Sequence, residues 1–208
     1  MGNRLWCSAT LLSLMVLTVS VAETTRLRDI DFKNFSFPWD DDEMAESTAV
    51  PPLYRWISPL PKSSIRALKG LHHFYEPDQD PLQRERARYI SIDSVIFGDL
   101  DKDGIEEAAV HLNYSTGGTA NWDFLYIYKL VHGQPRLVGI LESGSRGYGG
   151  LGRISIQDDL LILDFADGER RVGDCCSEGY IRVRYRWRKG AFVEEGPRER
   201  GDLNIHEH

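Results

Sequence analysis

Cysteine is scarce in this chain, and the shortage excludes a small fold held together by several disulfides. The 208 residues include 3 cysteines, and Cys7 lies before the N-terminal apolar run, so the adjacent Cys175 and Cys176 stand alone in the body of the chain. Neighbouring Cα atoms are about 3.8 Å apart, below the usual disulfide range, so a bond between them is strained. We expect a Cys175–Cys176 disulfide that clips a tight turn. The alternatives are an intermolecular bond or two free thiols.

The chain also lacks an apolar run long enough to cross a membrane. Leu11–Val21 is apolar, but a bilayer-spanning helix needs about 20 apolar residues. Arg4 before this run and the small residues Ser20-Val21-Ala22 at its end are typical of a signal peptide cut after Ala22. We predict that residues 1–22 are a signal peptide, with an uncleaved anchor as the alternative. The protein is then exported to the periplasm or the extracellular space, with no transmembrane segment after cleavage.

Positive charge is in short supply. The 25 lysines and arginines face 32 aspartates and glutamates, which gives a net charge of −7. Loss of residues 1–22 removes Arg4 and no other charged residue, so the net charge changes to −8. This acidity argues against nucleic acid and against anionic membrane surfaces as partners. We expect the partner to be another protein or an envelope polymer.

Familiar catalytic motifs are missing from the sequence. There is no Gly-x-Ser-x-Gly elbow and no His-Glu-x-x-His pair. The glycine-rich stretch Ser143–Gly152 lacks the Gly-Lys-Ser/Thr ending of a phosphate-binding loop. We interpret it as a flexible connection, or as a ligand-contacting loop that uses Arg146 and Tyr148. Whether the protein is an enzyme stays open, and the sequence favours a non-enzyme.

Strand patterns are abundant after Tyr89. Short apolar and alternating runs are separated by turn signals such as His132-Gly133 and Lys189-Gly190. Seven strands are predicted, over residues 89–97, 108–114, 122–131, 137–142, 152–157, 160–165 and 180–188. Strands at this spacing favour a single, mainly β domain built as an antiparallel meander, with minor short helices.

Residues 23–88 are predicted to form an extended N-terminal segment that packs on a β-domain of residues 89–208. Within it, three aromatic residues alternate with polar residues or proline, as in an extended arm laid on a core: Phe35, Phe37 and Trp39. Short helices are predicted over residues 63–70, between a Ser cap and a Gly stop, and over residues 80–88, after Asp80-Pro81.

The predicted strand over residues 180–188 has one apolar and one basic face. Apolar residues take the odd positions, and the even positions of the other face are Arg182, Arg184, Arg186 and Arg188. Such alternation is typical of a sheet with one buried face. Two interpretations are open. Acidic neighbours such as Glu194 and Glu195 neutralise the stripe, or the stripe binds a carboxylate or sulfate group of a ligand.

The most informative stretch runs from Asp99 to Glu107. It has aspartates at positions one, three and five, a glycine at position six and an acid at position nine. This pattern supplies oxygen ligands to Ca²⁺. The twelfth position is Val110, where an EF-hand has a bidentate glutamate, so the pattern fits a loop followed by a strand. The alternative is an acidic loop of Asx turns that holds no ion.

Phe97-Gly98 precedes this loop, and the stretch Phe-Gly-Asp-Leu-Asp-Lys-Asp-Gly-Ile-Glu-Glu resembles the FG-GAP and VCBS type calcium loops of integrin-like β-propellers. The resemblance implies a structural Ca²⁺ and a propeller-blade-like sheet. It also implies the ligands Asp99, Asp101, Asp103, the Ile105 carbonyl and Glu107. One such loop is present, whereas a propeller repeats it, so we expect one blade-like sheet. Residues 31–39, 115–122 and 173–177 are similar to stretches of uncharacterised exported bacterial proteins.

These observations lead to three hypotheses. The first is an exported, calcium-stabilised β-domain that acts as a non-catalytic binding module. The second is a small periplasmic hydrolase that uses a carboxylate or the bound metal, with the metal open to a cleft. The third is a structural envelope protein that self-associates. A concave pocket shared by the arginine stripe and the glycine-rich stretch would favour a ligand-binding role over a structural one.

Overall fold

The fold consists of two antiparallel sheets and an N-terminal layer. The computed structural model describes residues 26–40, 54–74, 80, 87–118, 121–145, 147–173 and 176–203. The predicted signal peptide lies outside these ranges, as does most of the helix predicted over residues 80–88. No helix within the described ranges is long and apolar enough to cross a membrane.

Fifteen short to medium strands make up most of the described chain. In order they are β1 (Ser36–Pro38), β2 (Tyr54–Trp56), β3 (Ser64–Arg66), β4 (Leu71–His73), β5 (Tyr89–Gly98), β6 (Glu107–Ser115), β7 (Asn121–Val131), β8 (Gln134–Ser143), β9 (Leu151–Gln157), β10 (Leu160–Ala166), β11 (Arg171–Val172), β12 (Cys176–Ser177), β13 (Gly179–Arg188), β14 (Ala191–Glu194) and β15 (Glu199–Asp202). Three 3₁₀ helices accompany them at Leu27–Asp29, Phe32–Asn34 and Gly168–Arg170.

The larger sheet has six strands in the order β2-β8-β7-β6-β5-β4, with every neighbouring pair antiparallel. Strands β5 to β8 follow one another as a meander. His132 and Gly133 join β7 to β8 with φ angles of 49° and 71°, the left-handed geometry that suits a two-residue hairpin. The meander predicted from the sequence is confirmed.

The smaller sheet has the order β14-β13-β10-β9, and β15 pairs with the other end of β13. Asp158 and Asp159 join β9 to β10 with φ angles of 51° and 61°, and Lys189 and Gly190 join β13 to β14 with φ angles of 52° and 84°. Both turns have the left-handed backbone of tight hairpins. Two further two-stranded pairs, β1-β3 and β11-β12, lie outside these sheets.

An apolar core fills the space between the two sheets. Leu125, Ile127 and Leu141 contribute from the larger sheet. Residues from the smaller sheet pack against them: Leu161, Leu163, Phe165, Val183 and Tyr185. The sheets approach each other closely at the end of β5. A Cβ added to Gly98 would lie 2.4 Å from Ile156 Cγ2, which is too short for a normal contact. Only glycine fits the end of β5 there.

The N-terminal layer consists of residues 26–40 and the paired strand β3, and it covers the opposite face of the larger sheet. Phe37 and Trp39 are buried against it, and the Trp39 and Phe124 ring centroids lie 5.1 Å apart. Tyr126 Oη donates to the Pro38 carbonyl at 2.7 Å. The central strands are therefore covered on both faces, which explains the almost unbroken burial of β6. The extended arm predicted from the alternating aromatics is confirmed.

Each of the seven predicted strands corresponds to an observed one, namely β5 to β10 and β13. The helix predicted over residues 63–70 is wrong. Its first residues form β3, which pairs with β1 so that Ile65 lies opposite Phe37. Lys69 and Gly70 form a turn with φ angles of 54° and 82°. Pairing with the arm outweighs the weak helix propensity of so short a segment.

Candidate functional site

The predicted calcium loop connects two central strands of the larger sheet. Gly98 at the end of β5 is paired with Glu107 at the start of β6, so these strands close the loop at its base. Leu100 points into the core and is 2% exposed. Strand pairing therefore brings Asp99 and Glu107 to the same end of the sheet, although eight positions separate them in the sequence.

Backbone amides orient the carboxylates of the loop. The Gly104 amide donates to Asp99 Oδ2 at 2.9 Å, and the Leu100 amide donates to Glu107 Oε2 at 2.7 Å. Two further loop amides donate to Asp101 Oδ1 and Asp103 Oδ1. Gly104 has a φ of 84°, which a residue with a Cβ rarely adopts. One oxygen of each carboxylate is thus held by the backbone. The second oxygens of Asp99 and Glu107 accept no hydrogen bond from the described residues, whereas those of Asp101 and Asp103 meet the Lys129 ammonium.

Three of the predicted ligands converge. Asp99, Asp101 and Glu107 each contribute one side-chain oxygen, and these three atoms lie within 4.8 Å of one another. Asp99 Oδ1 and Glu107 Oε1 are buried without a hydrogen-bond partner among the described residues. Burial raises the pKa of Glu107 to about 7, and the charge of Asp101 adds to the rise. Unpartnered buried oxygens are costly, so this donor set fits a hard cation such as Ca²⁺.

Lys129 on β7 is a neighbour of the loop that the sequence did not indicate. Its Nζ pairs with Asp101, donates to Asp103 Oδ2 at 2.7 Å and lies 3.9 Å from Glu107 Oε1. Its hydrogen bond lowers the pKa of Asp103. One ammonium group offsets one of the four acidic charges among the predicted ligands, and a bound cation would share Asp101 and Asp103 with it.

The other two predicted ligands lie nearer the exposed tip of the loop. Asp103 is turned toward Lys129, and the Ile105 side chain is exposed. The space beside the loop is a cavity of about 10 Å³ lined by Leu100, Glu107 and residues of the inter-sheet core. Such a space holds about one water molecule.

The four arginines of the predicted stripe on β13 all pair with carboxylates of this chain. The pairs are Arg182 with Asp164, Arg184 with Glu199, Arg186 with Asp159 and Glu195, and Arg188 with Glu195. Arg182 is held by two hydrogen bonds, of 2.7 and 2.8 Å. This pairing agrees with the interpretation that acidic neighbours neutralise the stripe. An external anion would have to displace these carboxylates.

A cleft of about 990 Å³ opens at one end of the space between the two sheets. Arg182 lines it, together with three glycines of the glycine-rich stretch, Gly147, Gly150 and Gly152. One end of the stripe and part of the stretch thus meet on a concave surface. Tyr148 is 47% exposed, with the Arg171 guanidinium 5.4 Å from its ring centroid.

Two predicted site residues lie outside the described part of the chain. Arg146, the proposed ligand contact, is one of them, and Cys175 is the other. Cys176 begins β12 and lines the cleft. The disulfide between Cys175 and Cys176 stays a prediction.

The cleft also contains a cluster of possible metal ligands that the sequence did not indicate. Asp93 from β5, His111 from β6 and Asp123 from β7 each place a possible ligand atom within 4.8 Å of the others. Eighteen residues separate the first two, and twelve separate the second from the third. The available signals were weak: a polar pair, Asp93-Ser94, inside an apolar strand, and a histidine flanked by Val110 and Leu112.

No family model matches this chain, and neither a curated protein nor a solved structure matches it. The resemblance to FG-GAP and VCBS type loops, and the similarity to exported bacterial proteins, stay predictions from the sequence.

Proposed function

We propose that this chain is an exported, calcium-stabilised β-domain that acts as a non-catalytic binding module. The observation that carries the proposal is a pair of buried oxygens, Asp99 Oδ1 and Glu107 Oε1, that accept no hydrogen bond from the described residues and lie in the loop between two central strands. Together with Asp101 they form a donor set of the hard oxygen type that Ca²⁺ prefers.

A cation in the loop would act on the fold directly. Asp99 follows the last residue of β5, and Glu107 is the first residue of β6. An ion held by both ties the two strands together at the point where their pairing ends. Because the unfolded chain lacks this arrangement, binding stabilises the folded state by about 2.7 kcal/mol when free Ca²⁺ is 100 times its dissociation constant.

The cleft supports the binding role. Its volume of about 990 Å³ lies at the upper end of the range of small-molecule sites, about 300–1,000 Å³. Residues of both sheets and of the glycine-rich stretch line it, so a ligand there would contact every layer except the N-terminal one. A segment of a partner protein or an envelope polymer is the proposed occupant.

The calcium loop is proposed to be structural rather than catalytic. A metal that activates water or substrate keeps an open position facing the reactants. The cavity beside this loop measures about 10 Å³, whereas the large cleft begins further along the strands. This separation favours the binding module over a hydrolase that works through the loop metal.

A small hydrolase is the second candidate, because of one observation in the cleft. His111 Nε2 lies 3.1 Å from Asp123 Oδ1, and both residues are buried. An imidazole oriented by a carboxylate is the usual arrangement of a general base. Turnover of generic ester, phosphate or glycoside substrates, abolished in His111→Gln, would favour the hydrolase. Absence of turnover across these classes agrees with the binding module.

Calcium titration of the full-length protein tests the proposed function. Isothermal titration calorimetry should show one Ca²⁺ bound per chain, with affinity lost in Asp99→Asn. Asp29→Asn is the matched control, because Asp29 is an exposed aspartate far from the loop in the sequence, where it pairs with its neighbour Arg26. Equal binding by wild type and Asp99→Asn, or no binding by either, would contradict the proposal.

A further inference from the structure

We infer that the cleft holds a second metal site, in which Asp93, His111 and Asp123 bind a divalent transition-metal ion of the Zn²⁺ type. The site is separate from the calcium loop. His111 lies four residues from Glu107 along β6, about 13 Å at the rise of a strand.

The distances fit one ion. The possible ligand atoms of the three side chains lie within 4.8 Å of one another, and His111 Nε2 is 3.1 Å from Asp123 Oδ1. Two ligand atoms about 2.1 Å from one Zn²⁺ lie about 3.0 to 3.4 Å apart at bond angles between a right angle and the tetrahedral angle. The imidazole and the Asp123 carboxylate are therefore already spaced as ligands of one ion.

The strands bring these residues together for identifiable reasons. Asn113 is opposite Asp123, and His111 lies two residues from Asn113 on the same face of β6. The pairing of β5 with β6 shifts between Ile92 and Ser94, which leaves Asp93 as the extra residue of a bulge. A bulge re-aims a side chain and is common next to functional sites.

Outer partners fix the orientation of Asp123. Asn113 Nδ2 donates to Asp123 Oδ1 and the Leu151 amide donates to Asp123 Oδ2, both at 2.9 Å. Metal-ligating carboxylates are usually held by such hydrogen bonds. The second of them comes from β9, so the site joins the two sheets.

Charge and burial point to a cation. The side chains of His111 and Asp123 are each 9% exposed. The imidazole Nε2 faces Asp123 Oδ1, and Asp93 Oδ1 accepts a hydrogen bond from Ser91 Oγ at 2.9 Å. The other two carboxylates of the cleft are paired, Asp164 with Arg182 and Asp202 with Arg170. Asp93 and Asp123 have no arginine or lysine partner in the described chain, and a divalent ion would balance both carboxylates.

The ligand set identifies the class of metal. An imidazole nitrogen with carboxylate oxygens suits Zn²⁺, Mn²⁺ or Co²⁺, whereas Ca²⁺ and Mg²⁺ prefer oxygen ligands alone. Three protein ligands leave coordination positions free. These positions face a cleft of about 990 Å³, so the ion would be accessible to a donor group of a bound ligand.

Titration of the full-length protein with Zn²⁺ and with Co²⁺ tests the inference, with millimolar Ca²⁺ present to saturate the loop. We expect one Zn²⁺ per chain by calorimetry, and visible Co²⁺ absorption that differs from that of the aqueous ion. His111→Gln and Asp93→Asn should each weaken Zn²⁺ binding at least tenfold, because loss of a mere outer partner already costs about 10- to 100-fold. His73→Gln on β4 is the matched control and should bind normally.

Two outcomes would overturn the site. One is the absence of Zn²⁺ binding by the calcium-saturated wild type. The other is binding that survives in both His111→Gln and Asp93→Asn. Asp93 is exposed, so Asp93→Asn keeps the core intact and its metal-free melting temperature should equal that of the wild type. Asp101→Asn, which damages only the loop, should leave Zn²⁺ binding unchanged, so failure of the calcium proposal is distinguishable from failure of this one.

Discussion

The two candidate metal clusters of this protein share the same pair of strands and differ in almost everything else. The loop cluster of Asp99, Asp101 and Glu107 is contiguous in sequence, offers only oxygen atoms and adjoins a cavity of about 10 Å³. The cleft cluster of Asp93, His111 and Asp123 draws on three strands, includes a nitrogen and lines a cleft of about 990 Å³.

The position of each cluster in the sheet determines its chemistry. Where β5 ends and β6 begins, a short loop can fold its own carboxylates inward, and the ion strengthens the connection. In the middle of the same strands, side chains meet only through pairing and a bulge, and they face the space between the sheets. A structural role is expected at the first place, and ligand contact at the second.

The largest effect is expected from removal of the buried carboxylate of the cleft cluster. Asp123→Ala leaves His111, Asn113 and the Leu151 amide without their acceptor. Unsatisfied buried donors cost about 1–3 kcal/mol each, and water in the cleft can serve some of them, so the free energy of unfolding should fall by about 3 kcal/mol. Urea denaturation measures it. Asp103→Ala at the exposed loop tip should lower the free energy of unfolding by less than about 1 kcal/mol. Equal losses in the two variants would contradict the difference between the clusters.

The next effect tests whether the two clusters are independent. Glu107→Gln should abolish Ca²⁺ binding and leave Zn²⁺ affinity within about twofold of the wild type. His111→Gln should abolish Zn²⁺ binding and leave Ca²⁺ affinity within about twofold. Sites more than about 10 Å apart without shared partners behave additively. Calorimetric titration of both ions into the two single variants and the double variant measures this. Loss of both ions in either single variant would show that the clusters are coupled.

Removal of the lysine that shares the loop carboxylates should have a smaller effect, in the opposite direction. Lys129→Met takes away a positive charge next to Asp101 and Asp103. Two charges about 4 Å apart interact by about 1 kcal/mol in a watery environment, so Ca²⁺ should bind about fivefold more tightly. The calcium-free protein should at the same time become less stable, because the carboxylates lose their counter-charge. Unchanged or weaker Ca²⁺ binding would show that the ammonium and the ion do not compete.

The smallest effect concerns the arginines of β13. Arg184→Gln breaks a pair with Glu199, which is about half exposed, and should lower the free energy of unfolding by less than about 1 kcal/mol. Arg182→Gln should cost more, because it leaves the carboxylate of Asp164, which is 6% exposed, without its two hydrogen bonds. Thermal unfolding of both variants shows which of them loses more unfolding free energy. An equal cost would remove the distinction between the cleft end and the solvent end of this strand.

The sequence was sufficient for those features that depend on neighbouring residues. Alternation and turn signals gave the strands from β5 to β10 and β13, and the spacing of the aromatics gave the N-terminal arm on the core. The acidic loop was found because its carboxylates follow one another at fixed spacing. Its position between two central strands followed from the predicted strands on either side.

Features that depend on register were beyond the sequence. Nothing in the spacing of Asp93, His111 and Asp123 indicates that strand pairing and a bulge bring them together. Lys129 reaches the loop from a third strand for the same reason. The segment over residues 63–70 was misassigned, because its conformation is set by pairing with β1 and not by its own propensity.

The calcium site in the loop is best tested by thermal unfolding of the full-length protein with millimolar Ca²⁺ and with chelator, and by the same pair of scans on Asp101→Ala. We expect Ca²⁺ to raise the melting temperature of the wild type by several degrees, because a site with a dissociation constant of about 10⁻⁵ M adds about 2.7 kcal/mol at millimolar Ca²⁺. We also expect Asp101→Ala to melt at the same temperature in both conditions. A wild type that melts identically with and without Ca²⁺ would contradict a structural calcium site in the loop.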